Sequence, residues 1–349
     1  MTYWIVLYIV IFFALLLYAY PSLKEGSKNK IVLLIASIFT YFSAFREGLG
    51  QDYENYEKVI FDNTREYGLI EPIYTLLIKS IYYFNSTEVL FFLVYALVTN
   101  FCIIFTYKRF KNFVIMVVVY LSFSVLYFNT FNLVRQFCAA SIILYGFRYI
   151  QDRNIIRYCL IVLIATLFHL SALFCVVFYF LWNKKVSNLL MVVLALFTFF
   201  YGLFGGGELA ELFKEFFSYF NVYGVYLEEN PSGEGFGLLT IYFNLILILI
   251  VILNNKSINT DTDRFIMLMY LILVIIYNLI PSFFYFHRLS IYFLVFFPLI
   301  ASIPVNQSVL FKSILIVSSG VIFMYFILSN TNNPKVLPSG MKSFLDLIG

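Results

Sequence analysis

The stretch "EVLFFLVYALVTNFCIIFTY", residues 88–107, constrains this chain more than any other: twenty residues with no charge after Glu88. An α-helix needs about 17–25 apolar residues to cross a bilayer, and runs of that kind recur from end to end. Only helices and closed barrels satisfy their backbone groups in hydrocarbon. The short alternating segments of a barrel are not seen, so helices are expected. Composition agrees, with 62% of the 349 residues hydrophobic and 12% charged, against roughly 25% charged in soluble domains. The expected fold is an all-α polytopic integral membrane protein, a single transmembrane domain over 1–349.

The first run, Tyr3 to Tyr20, has no basic segment before it and no small-residue cleavage site after it, so it reads as a retained span. Cys102, Cys138, Cys159 and Cys175 fall inside apolar runs without metal spacing and read as packing residues. Basic loops at 21–30, 108–111, 148–157 and 183–185 are expected in the cytoplasm. This places the region 46–87 outside. Within it, "EPIYTLLIKSIYYF" (71–84) is too short to span and is expected to lie in the interface or re-enter the membrane. The run 155–182 is too long for one ordinary span and carries His169 at its middle, so it is expected to bend there. Counted this way, the chain holds about 12 transmembrane helices. The loop 205–237 is also expected outside, with an amphipathic helix around 208–220.

Four polar groups then gather at the outer boundary: "FREGLGQDYENY" (45–56), "NTFNLVRQ" (129–136), "FHLS" (168–171) and "FHRLS" (286–290). An arginine in or near a span is expensive unless it faces a cavity, a partner or a headgroup. Arg135 and Arg288, with Arg46, therefore point to an anionic ligand. Guanidinium forks suit a diphosphate. His169 and His287 sit where an imidazole can take a proton near neutral pH. Asp52 and Glu47 are alternative bases, with Gly48 and Gly50 letting their loop fold back towards the membrane. Tyr53 and Tyr56 could stack on sugar faces, and Asn132, Gln136 and Ser171 complete the polar lining. Asp261-Thr262-Asp263 imitates a metal-binding pair of aspartates, but its position reads as a short cytoplasmic loop. There is no phosphate-binding Gly-x-x-x-x-Gly-Lys, no His-Glu-x-x-His and no Gly-x-Ser-x-Gly.

The motifs "FREGLGQDYENY", "EPIYTLL", "FNLVRQFCAASIILYGFRYI", "LFHLSALF" and "FHRLSIYFLVFFPLI", in that order over about 45–300, resemble the EpsG family within the Wzy-type polysaccharide polymerases. The resemblance implies a GT-C-like glycosyltransferase in the bacterial cytoplasmic membrane, with its active site on the outer face. Such an enzyme joins undecaprenyl-diphosphate-linked repeat units, donor to acceptor, into an O-antigen, capsule or exopolysaccharide. A chain-length regulator protein would be a further partner. No cofactor, metal or nucleic acid is expected. Two other enzyme readings share the donor-phosphate logic: a polyprenyl-phosphate-sugar transferase and a glycan ligase. A flippase for lipid-linked glycan is the non-enzyme alternative. It would place charges at mid-membrane and show internal symmetry, whereas here the polar groups cluster at one face.

Overall fold

The computed structural model describes residues 2–50, 52–61, 71–204, 237–253, 260–279, 286–303, 308–330 and 340–341. The helix expected around 208–220, almost all of its loop and the side chain of His287 lie outside the described residues. The described chain is helical, apart from one antiparallel pairing of Arg46–Glu47 with Gly340–Met341. It divides into two units, Met1–Phe180 with Ser308–Gly349, and Leu181–Gln307.

The first unit runs through α1 (Thr2–Ala19), α2 (Glu25–Ala44), α3 (Tyr53–Phe61), α4 (Pro72–Tyr83), α5 (Glu88–Tyr107) and α6 (Phe113–Ser122). It continues through the short α7 (Ser124–Tyr127) and α8 (Asn129–Asn132) to α9 (Val134–Gln151) and α10 (Ile155–Phe168). The helix Val309–Ser329 also belongs to it. At the centre, α5 packs against α2 and α9.

Polar side chains fasten this interior. Tyr120 donates to Asn100 Oδ1 (3.0 Å), Asn100 Nδ2 donates to the Ala96 carbonyl (2.9 Å), and Tyr127 donates to the Phe39 carbonyl (3.0 Å). Meanwhile the outward face of α1 presents Ile5, Ile9, Phe12, Phe13 and Leu16. Polar contacts within and large apolar side chains without are the arrangement a lipid solvent favours. The fold is that of an all-α membrane protein.

Among the described residues, three helices are long and apolar enough to cross a bilayer: Glu88–Tyr107, Asp261–Leu279 and Val309–Ser329. A fourth is counted if Phe113–Ser122 and Ser124–Asn132, bent by 73°, form one broken span. Twelve spans of ordinary length are thus not what the described residues show. The other expected spans occur mostly as shorter apolar helices, because the chain breaks inside several runs. Phe123 is extended (φ −93°, ψ 108°) between α6 and α7. Near residue 296 a turn leads into a 3-10 segment, Phe297–Ser302, with Pro298 in its first turn.

The expected bend at His169 is present. There α10 ends, and a 3-10 segment, Leu170–Val177, turns back along it. Tyr158 donates to the Cys175 carbonyl (2.7 Å) and Tyr179 to the Arg153 carbonyl (2.8 Å), so the two arms lie side by side as a hairpin. A single tilted span over 155–182 is excluded by that pairing.

In the second unit, the helices Asn188–Phe204, Leu238–Leu253 and Asp261–Leu279 meet at Asn278. Its amide donates to the Ala195 carbonyl (2.9 Å) and Thr198 Oγ1 (3.0 Å), and its Oδ1 accepts from Asn244 Nδ2 (2.5 Å). Asp261-Thr262-Asp263, expected in a loop, instead opens the third of these helices. Thr260 Oγ1 accepts from the Asp263 backbone N–H (3.1 Å) as an N-cap, and Asp261 pairs with Arg264 (2.8 Å). Carboxylates at that end complement the helix dipole.

Candidate functional site

The polar loop after α2 is built around Arg46. Gly48 (φ +66°) and Gly50 (φ +107°) take left-handed conformations that other residues resist, and they turn the chain back on itself. A Cβ at Gly50 would lie 2.7 Å from the Phe131 carbonyl oxygen, so the loop rests directly on α8. Arg46 is 2% exposed. Its guanidinium donates to the carbonyls of Leu49 (2.9 Å), Phe131 (3.4 Å) and Ser43, and lies over the rings of Phe92 and Phe131. The arginine expected to meet a diphosphate at this loop is therefore enclosed, with its donors turned to backbone.

Past the loop, α3 carries Tyr53 and Tyr56 inward. Tyr53 donates to Glu88 Oε1 (3.2 Å) and stacks on Phe92, and Tyr56 lies against Phe91. Both rings are buried, so neither offers an open face. Tyr56 also accepts from Arg135 Nε (3.4 Å), which connects this loop to the next group.

That group centres on Glu71, a residue the sequence did not single out. Glu71 stands at the N-cap of α4, ahead of Pro72, yet its carboxylate does not cap the helix. One oxygen accepts from Arg135 Nη1, on the first turn of α9, and the other lies 2.5 Å from His169 Nδ1 at the hairpin turn. Three elements thus converge on one carboxylate. Glu71 is buried, whereas Arg135 and His169 keep 32% and 23% of their side chains exposed. Burial pushes the Glu71 carboxyl up, but the His169 hydrogen bond and the Arg135 charge outweigh it and hold the group below its ordinary value. An ionised carboxylate only accepts, so Nδ1 carries the proton, and in the neutral ring Nε2 keeps the lone pair.

Aromatic rings wall this group. Arg135 lies over Tyr74 (4.6 Å to the centroid), and Tyr95 sits edge-on to Phe168. The Tyr95 hydroxyl is buried without a hydrogen-bond partner and within electrostatic reach of Arg135 and Glu71. Chemically, the arrangement offers a partly exposed cation, an imidazole oriented from behind, and the half-buried rings of Tyr74 and Phe168.

The remaining expected residues are spread out. Gln136 is buried beside Arg135, Asn132 is half-buried at the end of α8, and Ser171 is half-buried two residues after His169. Asp52 is half-buried before α3, and its carbonyl accepts from the Tyr56 N–H (3.0 Å). Glu47 is exposed on the strand pairing. Arg288 is exposed on the helix Phe286–Leu294 of the second unit. Among the described candidates, the structure joins Arg135 to His169 through Glu71, and Arg135 to Tyr56 directly. The sequence signal for Glu71 was a carboxylate just ahead of a Pro-started apolar helix, a place where Ser, Thr or Asp would ordinarily cap.

No curated protein and no solved structure matches this chain. The sequence model of the EpsG family matches residues 29–339, which takes in every group described above. The chain belongs to the EpsG family.

Proposed function

We propose that this protein is a membrane glycosyltransferase of the polysaccharide-polymerase type, and that the Arg135–Glu71–His169 group is its reaction centre. The family is associated with glycosyltransferase-like polysaccharide polymerases. The observation that carries the site is the convergence of a cation and an oriented imidazole on one buried carboxylate. The proposed substrates are undecaprenyl-diphosphate-linked glycans, as donor and acceptor. The proposed setting is the cytoplasmic membrane, with the site facing outward in a GT-C-like fold of about 12 crossings, full and broken. A chain-length regulator protein is the proposed partner.

In this reading the acceptor hydroxyl oxygen attacks the anomeric carbon of the donor sugar, and the bond from that carbon to the diphosphate oxygen breaks. The hydroxyl proton passes to His169 Nε2, and the lipid diphosphate leaves with the electron pair of the broken bond. Arg135 meets the negative charge that builds there. A preorganised donor of this kind contributes roughly 3–4 kcal/mol to the transition state. Glu71 holds the ring by Nδ1 and keeps Arg135 in place. Because arginine carries the charge role, the reading calls on no metal.

The test is surface polymer length, read as a gel ladder in a deletion strain complemented at matched expression. Wild type should restore the ladder, and Arg135→Ala or His169→Ala should leave single repeat units. Full ladders from both variants would remove the site from this function. Repeats that never reach the outer face in the deletion strain would favour a flippase instead.

A further inference from the structure

The end of α9 opposite Arg135 carries a second cationic group. Arg148 follows Arg135 by thirteen residues, about 20 Å along the helix. Arg148 Nη2 donates to the Tyr149 hydroxyl (2.6 Å), and its guanidinium lies over Tyr145 (4.1 Å) and Tyr149 (4.5 Å). Arg157, in the first turn of α10, lies over the same Tyr149 ring at 6.0 Å. Arg109, in the turn after α5, donates to Gln151 Oε1 (3.4 Å), and the neighbouring Phe110 ring stacks on Phe147 of α9.

Snorkelling arginines would spread into water, apart from one another. These three stay together on three elements, although burial and the Arg148 charge both hold Arg109 below its ordinary value. Asp152 counters part of the charge on Arg109. Arg148 Nε is buried with no hydrogen-bond partner, and a buried donor left unpaired is costly. An anion beside the group would relieve the repulsion between these cations. From Arg157 an exposed apolar stripe runs along α10 through Ile156, Leu160, Leu163, Ile164 and Leu167, at helical spacing. A charged head beside a long apolar track is the shape of a phospholipid.

We propose that Arg109, Arg148 and Arg157 bind the phosphate of an anionic phospholipid whose acyl chain lies along α10. The full-length protein, purified in detergent, would be titrated with phosphatidylglycerol, with phosphatidylcholine and with inorganic phosphate, reading lipid-bound mass and thermal unfolding. Phosphatidylglycerol should bind at least tenfold more tightly than phosphatidylcholine. Each Arg→Gln substitution should weaken it about fivefold, the worth of one surface cation near an anionic headgroup. Arg157→Gln, at an exposed position, keeps the test usable if Arg148→Gln fails to fold, and Leu160→Asn should weaken the lipid alone. Equal binding of the two lipids, or unchanged affinity in Arg157→Gln, overturns the site. If inorganic phosphate stabilises as well as phosphatidylglycerol does, the lipid assignment falls.

Discussion

Arg46 and Arg135 began with the same expected role and stand in opposite situations. Both follow a helix break, both lie over aromatic rings, and both reach across the first unit. Arg46 gives its donors to three backbone carbonyls and is closed off. Arg135 pairs with a side-chain carboxylate and stays one-third exposed. Three backbone carbonyls together tie an arginine to the frame, whereas a carboxylate can share one with an incoming anion. The chemistry of the partner, more than the presence of a guanidinium, separates a frame from a site.

The sharpest break of that comparison is Arg46→Met. It fills part of the space but leaves the carbonyls of Ser43, Leu49 and Phe131 without their donor. Each orphaned buried group costs about 1–3 kcal/mol, so the loss should exceed about 3 kcal/mol and appear as reduced expression and early thermal unfolding in detergent. Arg135→Ala should lower stability less, because Glu71 keeps His169 as a partner, and should abolish the ladder at matched amounts of folded protein. An Arg46→Met protein of wild-type stability and no activity would return Arg46 to the site.

Next in size is Gly50→Ala. The new methyl would meet the Phe131 carbonyl at 2.7 Å, from a backbone at φ +107°. Strain of that kind costs of order 1–3 kcal/mol. Unfolding should shift accordingly, and polymer made per folded molecule should stay at the wild-type level. A specific loss of activity would mean the loop touches substrate as well as supporting Arg46.

The sequence made part of this contrast legible. The two glycines marked the turn, and a polar residue in the middle of an overlong apolar run marked the hairpin at His169. The span 88–107 needed only its length and composition. What it could not show were acceptors far away in the chain: Phe131 is 85 residues from Arg46, and Glu71 is 64 from Arg135 and 98 from His169. The break at Phe123 carries no Gly or Pro to announce it, and the apolar run 112–128 reads from sequence as one span. Arg46 looked available because nothing local says that a short loop will close over it.

Glu71→Gln sharpens the other side. The folded-state pKa of Glu71 is depressed, so its carboxylate contributes stability that is present above the ordinary value of 4.5. That contribution is lost as pH falls through the folded value. Wild type should therefore exceed Glu71→Gln in unfolding temperature by a constant margin above about pH 5, and the margin should close in stronger acid. Activity should fall about tenfold, because the amide still accepts from Nδ1 but no longer balances the charge of Arg135 or of a protonating His169. A stability margin that does not depend on pH would mean the carboxylate is not ionised in the fold.

The smallest effect is expected where polar contacts hold helices together without charge. In the second unit, Asn278 joins the Ala195 carbonyl, Thr198 and Asn244 across three helices, all neutral groups. Interhelical hydrogen bonds of this kind average about 0.6 kcal/mol and reach roughly 2 kcal/mol in membranes. Asn278→Leu keeps the branched side-chain shape and should lower the unfolding temperature slightly while leaving the ladder at full length. Neutral partners can re-pair with one another after the change: Asn244 already donates to the Thr240 carbonyl, and Thr198 to the Leu194 carbonyl. Glu71, by contrast, has no neutral substitute for Arg135. If Asn278→Leu shortened the polymer at matched stability, polar clamping and catalysis could no longer be assigned to different groups by charge, and the distinction drawn from Arg46 and Arg135 would have to be narrowed to the first unit.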